Sequence, residues 1–425
     1  SSIESRLASA GLAPLPRLAW LEIDLDALAA NLAVVRELAG AGVAVEPVVK
    51  ADAYGHGMIP VAQALFRAGA DGLCVATLDE ALALRAAGIG GRVTVMYPIP
   101  ASLAADAARA GVAVAGGAGE TLARLLAGLD GSEPPLDVEL EIETGLGRGG
   151  ASPEEAVEAA TAILAARGTR LAGVWTHLQA SEEHGPTTVQ QARFEDALAA
   201  LGRAGIAVRR RHVAASGALL LDEVRGYEAV RPGLITYGLP PDEIEPESLP
   251  PIAARLRPVM ALRARPVRVA DLPAGHGISY GPTWVADRPS RIATLPLGYG
   301  DGWPRSLSNR AQALVRGVAV PLVGNVAMDA VMADVTDVPG PPVGIDDEFT
   351  FIGRDGALEI TARQLAQART TNSWEVVTAM SGRVSRVYHA SAGPVRVRTL
   401  ISAEDRWLGS SSGTATSATS RSTPS

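Results

Sequence analysis

The chain has 425 residues, 38 of them basic and 46 acidic, and its formal charge of −8 leaves no cationic face for nucleic acid or an anionic membrane, so small-molecule chemistry is favoured. One cysteine, Cys74, excludes an intrachain disulfide, no cysteine–histidine spacing suits a metal, and the fold must therefore rest on packing, which fits a reducing compartment. Apolar residues make up 47% of the chain, yet neither a long uninterrupted apolar run nor a charged-then-apolar leader occurs, which predicts a cytoplasmic protein.

In chain order, Ala19–Asp24 reads as a strand ahead of the main pattern. From about residue 43 to 240, short apolar runs alternate with amphipathic stretches, a rhythm that predicts βα units and a parallel sheet. The candidate strands are Val43–Val49, Gly72–Ala76, Val93–Tyr97, Val112–Ala115, Leu136–Ile142, Leu171–Thr176, Val208–Val213 and one around Ala229–Tyr237, with seven helical segments between them. In the segment Pro153–Ala166, Ser152 is an acceptable N-cap and Pro153 falls near the first turn. Eight such units in roughly 200 residues predict an α/β fold, a closed (β/α)8 barrel over 25–245, with an open doubly wound sheet as the alternative. The Pro- and acid-rich "PPDEIEPESLPP" then reads as a linker. Beyond it, "RIATLPLG", "ALVRGVAVPLVG" and "EFTFIG" have the β-branched content and turn spacing of a mainly-β domain over 251–408. One helix is expected near Ala362–Ala368, and the early strand within residues 1–24 is expected to pair with this domain. The polar, low-complexity end, 409–425, cannot bury enough apolar surface to order itself and predicts a disordered tail.

In such a barrel the C-terminal strand ends face the active-site mouth. "PVVKADAYGHG" puts Lys50 at the end of the first strand, where a partly desolvated amine would be nucleophilic; a solvated rim lysine is the ordinary alternative. Other strand ends are polar as well: Arg148 follows the fifth, His177 ends the sixth, Ser216 follows the seventh and Arg231 lies in the eighth. That convergence favours a site. Within "LDVELEIETGLGR", Leu136, Val138, Leu140 and Ile142 alternate with Asp137, Glu139, Glu141 and Glu143, so one strand face is acidic. If that face points into the barrel its carboxylates need partners, and Arg148 is a natural candidate.

The ordered series "VVKADAYGHG", "ETGLGRGG", "THLQASEE", "AASGA", "VRPGLITYGL", "LPAGHGISYG", "GYGDGWPR", "VGNVAMD" and "SGRVSRVY" resembles the motifs of the alanine racemase family over roughly residues 18–390. The resemblance implies an N-terminal barrel, a C-terminal β-domain, pyridoxal 5′-phosphate and an active site completed across a homodimer. By that likeness Lys50 carries the cofactor and acts as base on one substrate face, and Tyr280 of the partner subunit acts on the other. Tyr54, Ser216 and the amides of Gly233 and Leu234 would cradle the phosphate. Arg231 would face the pyridine nitrogen, with His177 near the ring and bonded to Arg231. Arg148 would hold the phenolic oxygen and the substrate carboxylate, helped by the Met328 amide from the other chain, while Tyr299 and Asp329 would line the entrance.

Three places depart from the family pattern. Glu141 stands where many members have a carbamylated lysine, and it supplies a negative charge without modification. Trp374 replaces a tyrosine whose hydroxyl contacts the phosphate, which puts that contact and the pocket shape in question. Asn325 and Ala327 replace the usual arginine and cysteine. The expected activity is interconversion of L- and D-alanine, supplying D-alanine for peptidoglycan. A serine or broader amino-acid racemase is one alternative. A non-catalytic pyridoxal-phosphate carrier is another, disfavoured because the chain keeps both a β-domain and Tyr280.

Overall fold

The computed structural model of the protein describes residues 2–391 and 393–401, so the tail expected at 409–425 lies outside the described residues. Strand β1 (Ala19–Asp24) comes first, followed by β2 (Ala44–Val45), β3 (Gly72–Val75), β4 (Arg92–Val95), β5 (Ala113–Gly116), β6 (Leu136–Glu141), β7 (Thr169–Trp175), β8 (Arg211–His212) and β9 (Ala229–Val230). The eight strands β2 to β9 form one parallel sheet in the order β2-β9-β8-β7-β6-β5-β4-β3. A parallel bridge from Val48 to Cys74 brings the two ends of that order together, so the barrel is nearly closed.

Several strands are shorter than the apolar runs suggest. The expected strand Val43–Val49 keeps a regular ladder only at Ala44–Val45. Pro47 has no N–H to donate, although Glu46, Val48 and Val49 still donate to the carbonyls of Val230, Pro232 and Cys74. The expected eighth strand ends at Val230 for the same reason, because Pro232 interrupts it and Leu234–Tyr237 winds into a 3-10 turn. The seventh narrows from Val208–Val213 to Arg211–His212. The helix expected at Pro153–Ala166 begins at Ala156. Ser152 and Glu155 close a reciprocal turn before it, Ser152 Oγ accepting from the Glu155 N–H and the Glu155 carboxylate from the Ser152 N–H.

After the barrel come β10 (Met260–Ala264), β11 (Arg268–Leu272), β12 (Ser290–Leu295), β13 (Gln312–Val315), β14 (Val318–Val323), β15 (Val331–Asp334), β16 (Phe349–Asp355), β17 (Leu358–Ile360), β18 (Ser385–Ala390) and β19 (Gly393–Arg398). These join β1 in an 11-stranded, mainly antiparallel sheet, with β1 between β10 and β18. The helix Ala362–Arg369 is accompanied by two that the apolar pattern did not suggest, Ile3–Ser9 and Ser373–Thr378, each too short to show a helical period.

Two apolar layers position the site. Leu136, Val138 and Leu140 of β6 join the main core, whereas Val48, Cys74, Met96, Ala115 and Trp175 form a separate cluster with Tyr54 packed on it. Alternation along β6 therefore turns Glu139 and Glu141 away from the main core, into the barrel interior.

Candidate active site

A cavity of about 250 Å³ opens at the C-terminal ends of the barrel strands. It is lined by Lys50, Tyr54, Arg148, His177, Ser216, Arg231, Gly233 and Leu234, with Trp374 entering from helix Ser373–Thr378.

Lys50 does not end a strand, as the apolar run suggested. It opens a short helical segment, Lys50–Tyr54, in which Ala51, Asp52, Ala53 and Tyr54 have φ of 53°, 54°, 55° and 51°. Left-handed backbone costs an L-residue roughly 1–2 kcal/mol, so a run of four needs compensating hydrogen bonds. The N–H of Ala51 donates to Glu80 Oε1 at 2.6 Å, that of Met58 to Asp52 Oδ1 at 2.8 Å, and that of Gly55 to Ala51 O at 3.0 Å. Burial lowers the pKa of the Lys50 amine, the positive charge of Arg148 lowers it further, and Glu80 partly opposes both.

Tyr54 packs its ring on Tyr237 with centroids 5.1 Å apart, and burial raises its phenol, so the hydroxyl stays protonated. The same hydroxyl leaves no room for a side chain at position 233, where a β-carbon would lie 2.8 Å from it. Ser216 Oγ accepts the N–H groups of Gly233 at 3.0 Å and Ile235 at 3.4 Å, which leaves its own proton free to donate into the cavity. Leu234 begins its 3-10 turn, so its N–H has no bond within that turn.

Arg231 is fully buried, and burial lowers its guanidinium to about 10, still charged at neutral pH. It donates to the carbonyls of Thr176 at 2.8 Å, His212 at 3.0 Å and Val213 at 3.2 Å, and it stacks over Trp175 at 4.7 Å. His177 Nδ1 stands 3.5 Å from Nη2, but the shorter contact is to Nδ1 of His212. Burial, then the charges of Arg231 and Arg148, push His177 down to about 3, so it is neutral.

His212 was not singled out from the sequence, nor was the chain of charges behind it. Its Nε2 lies 3.1 Å from Glu139, which also pairs with Arg92; Arg210 bridges to Glu46 at 2.5 Å. A carboxylate can only accept, so Nε2 carries the proton and Nδ1 is left to accept from Arg231. The acidic alternation in β6 signalled that Glu139 needs partners, but they come from β4, β8 and the residue before it, far away in sequence. Arg148 donates to Glu141 Oε1 at 3.1 Å and lies 5.2 Å from the Tyr97 ring centroid.

Four candidates lie outside this cavity. Tyr280, Met328 and Tyr299 are 78%, 52% and 45% exposed, and Asp329 pairs with Arg383 at 2.5 Å. They form one surface patch on the β-domain. Asn325 Nδ2 donates to the carbonyls of Tyr280 and Gly281, and the N–H groups of Tyr299 and Gly300 donate to the carbonyls of Ala327 and Met328.

Of the 38 basic residues, Lys50 is the only lysine; the other 37 are arginines. Arginine replaces lysine wherever a cation suffices, but it cannot be deprotonated at ordinary pH and has no primary amine.

The N-terminal domain of alanine racemase matches residues 23–241 and its C-terminal domain matches residues 259–388. The alanine racemase of Symbiobacterium thermophilum is 40% identical over 378 residues, 87% of this chain and 96% of that protein. That of Halothermothrix orenii is 37% identical over 376 residues, 88% of this chain and 97% of that protein. The crystal structure of Bacillus anthracis alanine racemase with bound L-Ala-P superposes with a TM-score of 0.85 at 34% identity, covering 91% of this chain and 99% of that one. With both family domains matched in order and full-length relatives aligned through barrel and β-domain alike, the chain belongs to the alanine racemase family and its catalytic class is that of a racemase.

Proposed function

We propose that the protein interconverts L- and D-alanine with pyridoxal 5′-phosphate, using Lys50 as the base on one face of the substrate and Tyr280 of the partner subunit on the other. The observation that carries the reading is the chain's one lysine, its amine depressed by burial and by Arg148, set in a mouth of hydroxyls, open amides and arginines. The residues present fit the cofactor. Tyr54, Ser216, Gly233 and Leu234 offer hydroxyl and backbone donors to a phosphate, and Arg231 keeps a buried Nε–H without a partner, suited to a ring nitrogen. When bound, the cofactor supplies an electron sink that acidifies the substrate's α-hydrogen.

Inversion requires a proton to leave one face and another to arrive from the opposite one. Burial and the charge of Arg148 both favour the neutral amine of Lys50, the form that can take the proton on its side. Arg148, oriented by Glu141, offers the substrate carboxylate its guanidinium. Arg231 can donate but not accept, which disfavours protonation of the ring nitrogen, weakens the sink and leaves more of the work to the two bases. The exposed patch of Tyr280, Tyr299 and Met328 supports a homodimer in which that patch covers the partner's mouth. D-alanine for peptidoglycan and a cytoplasmic location follow from this reading.

The test is borohydride reduction of the cofactor-loaded protein followed by intact mass, with racemisation measured alongside. The wild type is expected to trap one cofactor per chain, whereas Lys50→Ala traps none and loses about a thousandfold or more in kcat. An adduct persisting in Lys50→Ala removes Lys50 from its role. Trp374 in the lining favours a second reading, a serine or broader racemase. In the same assay, alanine ranking last in kcat/KM against serine and a larger amino acid selects that reading.

A further inference from the structure

We propose that Asp52 and Arg398 form a positioning pair through which the final strand of the β-domain aims Lys50. The inference rests on the reading of Lys50 as the reactive amine. Asp52 sits two residues after Lys50, inside the left-handed run. Both of its carboxylate oxygens accept from Arg398 Nη1, at 2.8 and 2.7 Å, and Oδ1 also accepts the Met58 N–H. Arg398 belongs to β19 and faces Arg386 of β18 across the antiparallel ladder. Arg386 is buried and donates twice to the carbonyl of Gly55, just past the same turn, and to the carbonyls of Met380, Ser381 and Val384. Two paired residues of the β-sheet thus fasten the middle and the end of the turn that begins with Lys50.

Residue preference alone does not hold the turn left-handed, since Ala and Tyr prefer the opposite hand and Asp visits the left-handed region only as a single residue. Nor is Asp52 the counter-ion of Lys50. The groups that act on the amine are Arg148, Glu80 and Cys74, with Tyr54 and His177 in the same cavity, and the Asp52 charge is taken up by Arg398 and, at 4.0 Å, Arg386. The pair therefore acts on where the amine points, not on its charge.

The test uses the cofactor-loaded enzyme for kinetics and the cofactor-free full chain for reactivity. Lys50 is the only lysine, so acylation of side-chain amines read by peptide mass reports it alone. Asp52→Asn and Arg398→Met are each expected to lower kcat about tenfold with KM for alanine within about twofold, and to change the rate of Lys50 acylation while its pH midpoint stays in place; these magnitudes are those of a misplaced catalytic group. The double variant should be no worse than the poorer single, and Arg398→Lys should recover part of the loss. Wild-type acylation and kcat in Asp52→Asn overturn the proposal, as does a double variant whose loss is the product of the singles. If Asp52→Asn fails to fold, Arg398→Lys and Arg398→Met carry the same comparison. Failure of the functional reading looks different: wild-type protein would then trap no cofactor at Lys50, while the acylation comparison would still report the pair.

Discussion

At the scale of single residues, Glu139 shows how a buried charge is tolerated. Burial alone would raise its carboxyl, but the His212 N–H and the charges of Arg92 and Arg210 outweigh it and hold the group at about 2, below its ordinary 4.5. A folded-state pKa below the unfolded one contributes stability that is complete above pH 4.5 and is lost as pH falls through about 2. Glu139→Gln is therefore expected to cost about 1–3 kcal/mol at pH 7, because Arg92 and Arg210 are then left to share Glu46 and His212 loses its anionic acceptor. Urea midpoints measured from pH 7 to pH 2 check this, and the gap to the wild type should narrow below pH 4.5. The need for a partner was legible in the alternation of β6. The partner was not, because Arg92 on β4 and His212 on β8 each reach Glu139 through the barrel interior past an intervening strand, 47 and 73 residues away in the chain.

At the scale of elements, prolines decide where strands stop and a glycine decides how closely the domains approach. Apolar runs predicted the strands containing Pro47 and Pro232 as continuous, but a ladder needs an N–H at each donating position. Gly55 has φ of 79°, and a β-carbon there would overlap the carbonyl oxygen of Val377 in the β-domain helix. Gly55→Ala is expected to cost about 1–3 kcal/mol from backbone strain, with further loss from the steric clash, read as a lowered Tm together with altered acylation of Lys50. The turn of small residues after Lys50 was legible. Its handedness was not, because local propensity opposes it and contacts from β18 and β19 impose it.

At the scale of the whole molecule, Lys50 and Tyr280 are read as one site although they sit in different places on one chain. The prediction is complementation. Lys50→Ala and Tyr280→Phe homodimers should each be inactive, but equal mixing with subunit exchange should restore about a quarter of wild-type activity, since half the dimers are then mixed and each has one intact site. Racemisation assayed before and after exchange measures it, and no recovery would mean that the two residues do not meet across subunits.

The sequence by itself determined the alternation that builds a barrel, the polar strand ends that mark its mouth, the β-rich second unit and a lysine whose chemistry no arginine can replace, because each of these is written in local period or residue type. Only the tertiary structure decided that Arg231 leans on His212 and Glu139, that Asp52 reaches Arg398, and that Tyr280 stands exposed on another surface. Those are long-range pairings, fixed by how strands and domains pack and invisible to any pattern of neighbours along the chain.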